Sequence, residues 1–307
     1  MRRRFLYMVL LLLGTVPMRA ELVPLDNPQS GATGVAPLFF SPNAFPIPDM
    51  LDGRTQGKLR VEAAGDVYIG MQGDYTEDIL ARIYIPLFTD RVNLTVWMPV
   101  MEWYQLSDER RSFCRIADST LTSGHEAGDV YVSADIHLLK QRKICPDIAF
   151  RAALKTASGG GFSKARYYDS PGYFFDLAIG KSMYILSGGG VSGLPQDKQV
   201  VELRLSGSVG FLCWQTANGR QNDAFMYGLQ LLVAHRYVSL RTTWGGYMGW
   251  EKYGDRPMSL KVQASGHIRG FEPYILYQYG IKDYPFHQVR VGLAYNVDIL
   301  KRKEAKK

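Results

Sequence analysis

Residues 289–297 read VRVGLAYNV, and their two-residue period decides the fold: Val289, Val291, Leu293, Tyr295 and Val297 share one face. Arg290, Gly292, Ala294 and Asn296 share the other, a division that a helix of 3.6 residues per turn cannot reproduce. The same alternation recurs back to about residue 58. Twelve strands follow from it: 58–70, 78–88, 92–104, 128–139, 147–157, 173–186, 199–214, 223–234, 237–250, 257–268, 272–281 and 287–297. Each is about the 9–11 residues, or slightly more, that a tilted strand needs to cross hydrocarbon. The chain therefore reads as all-β, a single antiparallel transmembrane barrel of about twelve strands.

Work outward from that last strand and the ends of the chain agree. Arg2, Arg3 and Arg4 precede an apolar run over residues 5–13, and Ala20 follows Gly14 and Pro17. This pattern predicts a cleaved secretory signal over 1–20, because the run is too short to span a bilayer as a helix. The barrel would then occupy 58–297, with a basic periplasmic tail over 298–307, and the destination would be the outer membrane. The connections support that orientation. Placing residue 58 in the periplasm gives long exterior loops such as 105–127 and 158–172 and short turns such as 89–91, 235–236 and 269–271, the asymmetry of outer-membrane barrels. The stretch 187–198 is the one long turn on the wrong side.

The formal charge of +7 misleads. Arg2, Arg3, Arg4 and Arg19 leave with the signal, and Lys301, Arg302, Lys303, Lys306 and Lys307 crowd the tail, so the body is near neutral. A nucleic-acid partner is excluded on that distribution. Three cysteines, Cys114, Cys145 and Cys213, are too few for a disulfide framework, although Cys114 and Cys213 fall at the same rim and a bond between them stays open. No Cys/His spacing suits a metal, and no cofactor is expected. Gly188, Gly190 and Gly193 match a dinucleotide fingerprint, but Leu194-Pro195-Gln196 opens no helix after them.

Polar alternate positions mark the lumen. Asp66, Asp135, Arg151, Lys155, Asp176, Arg204, Arg241, Lys261 and Arg290 are candidates for a luminal constriction, joined by Arg60, Glu62, Arg82, Glu102, His137, Glu202, His267 and Glu272. Folding the hairpins sets Asp135 opposite Arg151, Lys155 near Asp176, and Arg290 beside Asp66, which reads equally as a set of ion pairs bracing the wall. Pro99 breaks the third strand; a bulge there turns Glu102 inward and Trp103 outward. Lys181 falls on the lipid phase and is expected to snorkel to the lower interface. Trp103, Tyr104, Tyr173, Trp214, Phe225, Tyr227, Trp250, Tyr279, Tyr284 and Phe286 are read as an exterior aromatic girdle, with Phe88, Phe271 and Tyr295 at the other rim.

Residues 21–57 are too rich in proline for a sheet and too apolar for a solvated linker. Phe39, Phe40, Phe45 and Ile47 are interleaved with Pro37, Pro42, Pro46 and Pro48, and two readings stay open: a plug buried in the lumen, or a periplasmic segment awaiting a partner. Two triples carry acyl-transfer residue types: Ser133, Asp135 and His137 on one strand, and Ser265, His267 and Glu272 across a hairpin. Both point into the lumen, and residues two apart always share a face, so no enzyme is expected.

The stretch GDVYVSADIHLLKQRKICPDIAFRAALKTASGGG (128–161), continuing through DSPGYFFDLAIGKS (169–182), resembles the family of outer-membrane transporters named after the meta-pathway of phenol degradation. The shared elements are a Gly-Asp opening a strand, a turn ending at Pro146-Asp147, an Arg151-to-Lys155 strand and a Gly-rich loop. This chain has Thr156-Ala157-Ser158-Gly159 where the family usually has Pro-Thr-Gly after the lysine. The resemblance implies a channel and supplies no catalytic residue. The expectation is a porin-like channel for passive uptake of small solutes, with outer-membrane lipid and an unidentified solute as partners. A non-conducting surface barrel, or a lipid-modifying hydrolase, would be the alternatives.

Overall fold

A computed structural model describes residues 35–186, 200–216, 223–250 and 253–300. Its strands in chain order are β1 (Leu59–Gly70), β2 (Asp74–Pro86), β3 (Val92–Leu106), β4 (Ser123–Glu126), β5 (Tyr131–Leu139), β6 (Asp147–Lys155) and β7 (Gly172–Leu186). They continue with β8 (Val200–Cys213), β9 (Ala224–Ala234), β10 (Val238–Met248), β11 (Met258–Gly266), β12 (Phe271–Lys282) and β13 (Phe286–Val297). All but the short β4 pair antiparallel with both neighbours, and β1 closes the ring on β13 in register from Leu59↔Val297 to Gly70↔Phe286. The result is the closed twelve-stranded barrel expected from the alternation. Closure leaves no unpaired edge, which is the condition for a sheet at membrane depth.

The period behaves as read. On β13, Val291 is 61% exposed and Leu293 49%, whereas Gln288 and Ala294 are buried. The bulge at Pro99 is present: Ile79 pairs with Met101 and Leu80 with Pro99, so Val100 is the extra residue. Glu102 is consequently buried and Trp103 faces outward. Lys181 does more than snorkel. Its ammonium donates to the carbonyls of Arg142 (2.7 Å), Lys143 (3.1 Å) and Cys145 (3.1 Å), tying β7 to the turn between β5 and β6.

Three expectations need correction, and one open question is answered. β2 starts at Asp74, not 78, because Asp74, Thr76 and Asp78 are polar inward positions that disguise a strand as a loop. Residues 105–127 are partly ordered: Ser107 caps α1 (Asp108–Phe113) by accepting from the Arg110 N–H, and β4 pairs with β3 at Glu102↔Glu126. Tyr104, Trp214, Tyr284 and Phe286 are buried and do not belong to the girdle. All four point inward: Trp214, Tyr284 and Phe286 pack against apolar groups from residues 36–47, and the Tyr104 ring lies under the Arg166 guanidinium. Finally, Cys114, Cys145 and Cys213 are all free thiols. The long turn at 187–198, the glycine fingerprint at 188–193, the leader and the tail past residue 300 lie outside the described residues.

Val291 sits mid-strand on the lipid face, so Val291→Arg is expected to cost about 2–4 kcal/mol of barrel stability, read by urea titration in lipid vesicles.

Candidate functional site in the lumen

The inside of the ring is occupied by its own chain. At the end carrying α1, the Leu38 N–H donates to Gly254 (3.2 Å) and the Ser41 N–H to Ala165 (2.9 Å), both in loops. At mid-barrel the Asn43 side-chain amide donates to Asp78 (2.7 Å) and Glu102 (2.8 Å), and the Tyr247 hydroxyl donates to the Phe45 carbonyl (3.0 Å). Below that, Asp49 is held by Lys261 (2.7 Å) and Arg82 (2.9 Å), and its carbonyl accepts from Arg151 (2.7 Å). The segment leaves at the opposite end, where Thr55 donates to the Asp90 carbonyl (2.8 Å) and Gln56 to Asn296 (2.8 Å). Residues 35–57 thus run the height of the barrel before β1 begins.

Two features make room for it. Gly180 on β7 has no side chain, and an added Cβ would collide with the Asp52 carbonyl and the Arg204 guanidinium. Gly53, at φ +87°, takes a backbone shape that favours glycine where the segment turns toward the exit.

Phe39, Phe40, Phe45 and Ile47, the plug candidates, are all buried. Phe40 and Phe45 meet edge-on at 5.2 Å, and Phe45 leans on Tyr168 (5.6 Å) and Trp214 (6.2 Å). These rings, with Tyr247, Tyr284 and Phe286, fill the half of the lumen nearest α1. Burying each phenylalanine contributes about 1.5–3 kcal/mol, so the segment is anchored by packing as well as by charge.

A cavity of about 390 Å³ remains beside the segment, its lining running from Trp214 and Tyr284 down to Arg60 and Glu272. Of the constriction candidates, Asp135, Arg151, Arg241, Lys261 and Arg290 line it, whereas Asp66, Lys155, Asp176 and Arg204 do not. Asp66 receives Arg290 (2.7 Å), the pairing that closure of the barrel predicts. Asp135 lies opposite Arg151 in register but accepts from Ser133 and Thr95, both at 2.9 Å. Arg151 instead forks onto Asp176 at 2.7 and 3.1 Å. Arg204 bridges Asp147 (2.8 Å) and the Asp52 carbonyl (2.7 Å).

The expected contact of Lys155 with Asp176 is not formed. Asp176 pairs with Arg151 and Lys155 with Gly172, so the hairpin between β6 and β7 is shifted by four residues from the reading. An even shift leaves every side chain on its face, so alternation could not expose the error. Lys155 finds Asp129 at 2.7 Å, in the chain just before β5. Burial pushes the Asp129 carboxyl above its ordinary range, against the opposing pull of Lys155.

The sequence reading also missed the groups that hold the segment. Arg166, buried in the loop before β7, grips Glu102 (2.5 Å) and the Thr76 hydroxyl (2.8 Å), while Arg110 of α1 reaches Asp74 (3.2 Å) and the Leu38 and Phe40 carbonyls. Burial disfavours the Arg166 cation, but the charges of Glu102 and Asp74 outweigh it and raise its pKa above the ordinary guanidinium value. Loop arginines carry no periodic signal. Asp49 was legible only as a lone acid in an apolar stretch.

Neither triple of acyl-transfer residue types assembles into a linked Ser-His-acid relay. His137 bonds Asp147 (2.9 Å) and not Asp135. His267 faces the Ser239 hydroxyl (3.0 Å), not Ser265, and stands 4.0 Å from Glu272, which Arg60 already holds.

No protein-family model matches the chain, and no curated protein matches it. Among solved structures, the COG4313 outer membrane channel from Pseudomonas putida F1 is similar over 81% of this chain and 99% of that one, at 11% identity and TM-score 0.50. The KdgM porin is similar over 77% and 98%, at 11% identity and TM-score 0.44. The likeness to the former shows a shared outer-membrane barrel fold.

Arg166→Met leaves Glu102 and Asp74 buried with fewer partners, and should cost about 3–5 kcal/mol. The check is a lower temperature of heat-modified gel migration, with Arg115→Met, exposed just past α1, close to unchanged.

Proposed function

We propose that this chain is an outer-membrane channel for passive movement of small solutes, with residues 35–57 acting as its plug. The end bearing α1 and the long loops faces the cell exterior, and the outward bands of Val, Leu and aromatic side chains meet lipid. The observation that carries this reading is the contrast inside one ring: a charged, 390 Å³ cavity lies beside a segment that belongs to no strand. A wall built only for stability would be filled by its own side chains, as in smaller barrels. Here the filling is a separate segment, held by packing of its phenylalanines and by ion pairs and hydrogen bonds at Asn43 and Asp49. The concentration gradient would be the driving force, and the resemblance over residues 128–182 supports a transporter of small compounds.

A non-conducting surface barrel is favoured by one observation: Phe40, Phe45, Trp214, Tyr247 and Tyr284 pack together in the half nearest α1. Planar-bilayer recordings separate the two. The intact protein should conduct weakly or in rare openings, and removal of residues 37–51 should raise single-channel conductance severalfold. Absence of current in both would favour the surface barrel. Arg151→Ala, which removes the fork onto Asp176 and the hold on the Asp49 carbonyl, should increase open probability and alter ion selectivity; unchanged conductance and selectivity would remove Arg151 from the constriction.

A further inference from the structure

Arg241 stands apart from the other luminal arginines. Arg54, Arg60, Arg82, Arg151, Arg204 and Arg290 each hold a carboxylate. Arg241 makes no hydrogen bond or ion pair among the described residues, yet it lines the cavity. The acids around it are committed: Asp49 to Lys261 and Arg82, Asp52 and Glu202 to Arg54, Glu272 to Arg60. Asp52, bonded to Arg54, also lies in the field of Arg241, which bears on it more than Arg204 does, but no direct contact joins the two. The wall about Arg241 is polar without being acidic, with Ser239 and Thr243 on the same strand and Gln263 directly across. On its other side the register places Leu232, which is buried, and Leu276 lies across from Gln263.

We infer that Arg241 is the head-group site for a small amphipathic anion, with a carboxylate on the guanidinium fork and a compact apolar body against Leu232 and Leu276. An arginine presents paired N–H donors that match a carboxylate in two parallel bonds, and a cation in a partly closed cavity gains most from a charge it does not already share. A neutral solute of the same shape would leave those donors without an anion. The volume lies within the roughly 300–1,000 Å³ of small-molecule sites. This inference rests on the channel reading for its purpose, but not for its test.

The test is equilibrium binding to the full-length detergent-solubilised protein by calorimetry, with benzoate, benzamide and inorganic phosphate as probes. Benzoate is expected to bind more tightly than both others, and Arg241→Gln to weaken benzoate about tenfold or more while Arg241→Lys retains part of the affinity. Equal binding of benzamide and benzoate overturns the anionic head, and phosphate as tight as benzoate overturns the apolar body. Both comparisons need no variant, so a misfolded substitution cannot obscure them. Unchanged benzoate affinity in Arg241→Gln, with heat-modifiable migration intact, places the site elsewhere. Benzoate bound by a barrel that passes no current in any form would keep the site and remove the channel; current without benzoate preference would do the reverse.

Discussion

Backbone closure is the constraint from which the molecule follows. At membrane depth no water is available to an unpaired N–H or carbonyl, so β1 must find β13 along its whole length. Once the ring is shut, side-chain direction has no freedom left: alternate residues meet lipid, and the others share a confined interior. A hydrophobic outside follows, and so does a crowded inside where most charges are answered close at hand. Asp66 and Arg290, on neighbouring strands and in register, are the direct product of that closure.

The interior is answered in two layers. Some pairs are wall to wall, as with Arg151 and Asp176, and would persist in an empty barrel. Others are wall to segment. Lys261 and Arg82 converge on Asp49, Arg204 reaches the Asp52 carbonyl, and Asn43 sits between Asp78 and Glu102. Removing the segment would leave several of these groups without their present ligands, a cost that water or a charged solute could offset. The lumen therefore has a built-in reason to exchange one set of polar partners for another.

Strand count, phase and the bulge at Pro99 were legible because each leaves a mark with a two-residue period. The segment was legible as a composition that fits neither sheet nor water, and its burial is what that composition requires. The limits of the pattern are physical too. The four-residue shift between β6 and β7 preserves faces and is silent in sequence. The inward aromatics Trp214 and Phe286 resemble girdle residues until the segment supplies a dry surface for them. Arg166 and Arg110 act from loops, where spacing carries no geometry. Arg241 was placed on the inward face from sequence, but its lack of a partner is a property of the packed lumen alone.

The path of residues 35–57 has a consequence for biogenesis. The segment enters among the loops beside α1 and emerges beside Asp90 and Asn296, continuous with β1. A finished hoop would have to be threaded from one mouth to the other, carrying its phenylalanines past arginines already engaged. Zipping the first strand to the last while the amino-terminal cord already lies in the forming trough avoids that passage. Insertion machinery would then be sealing a wall around cargo that is its own chain, and the order of birth of the segments, amino end first, suits that sequence of events.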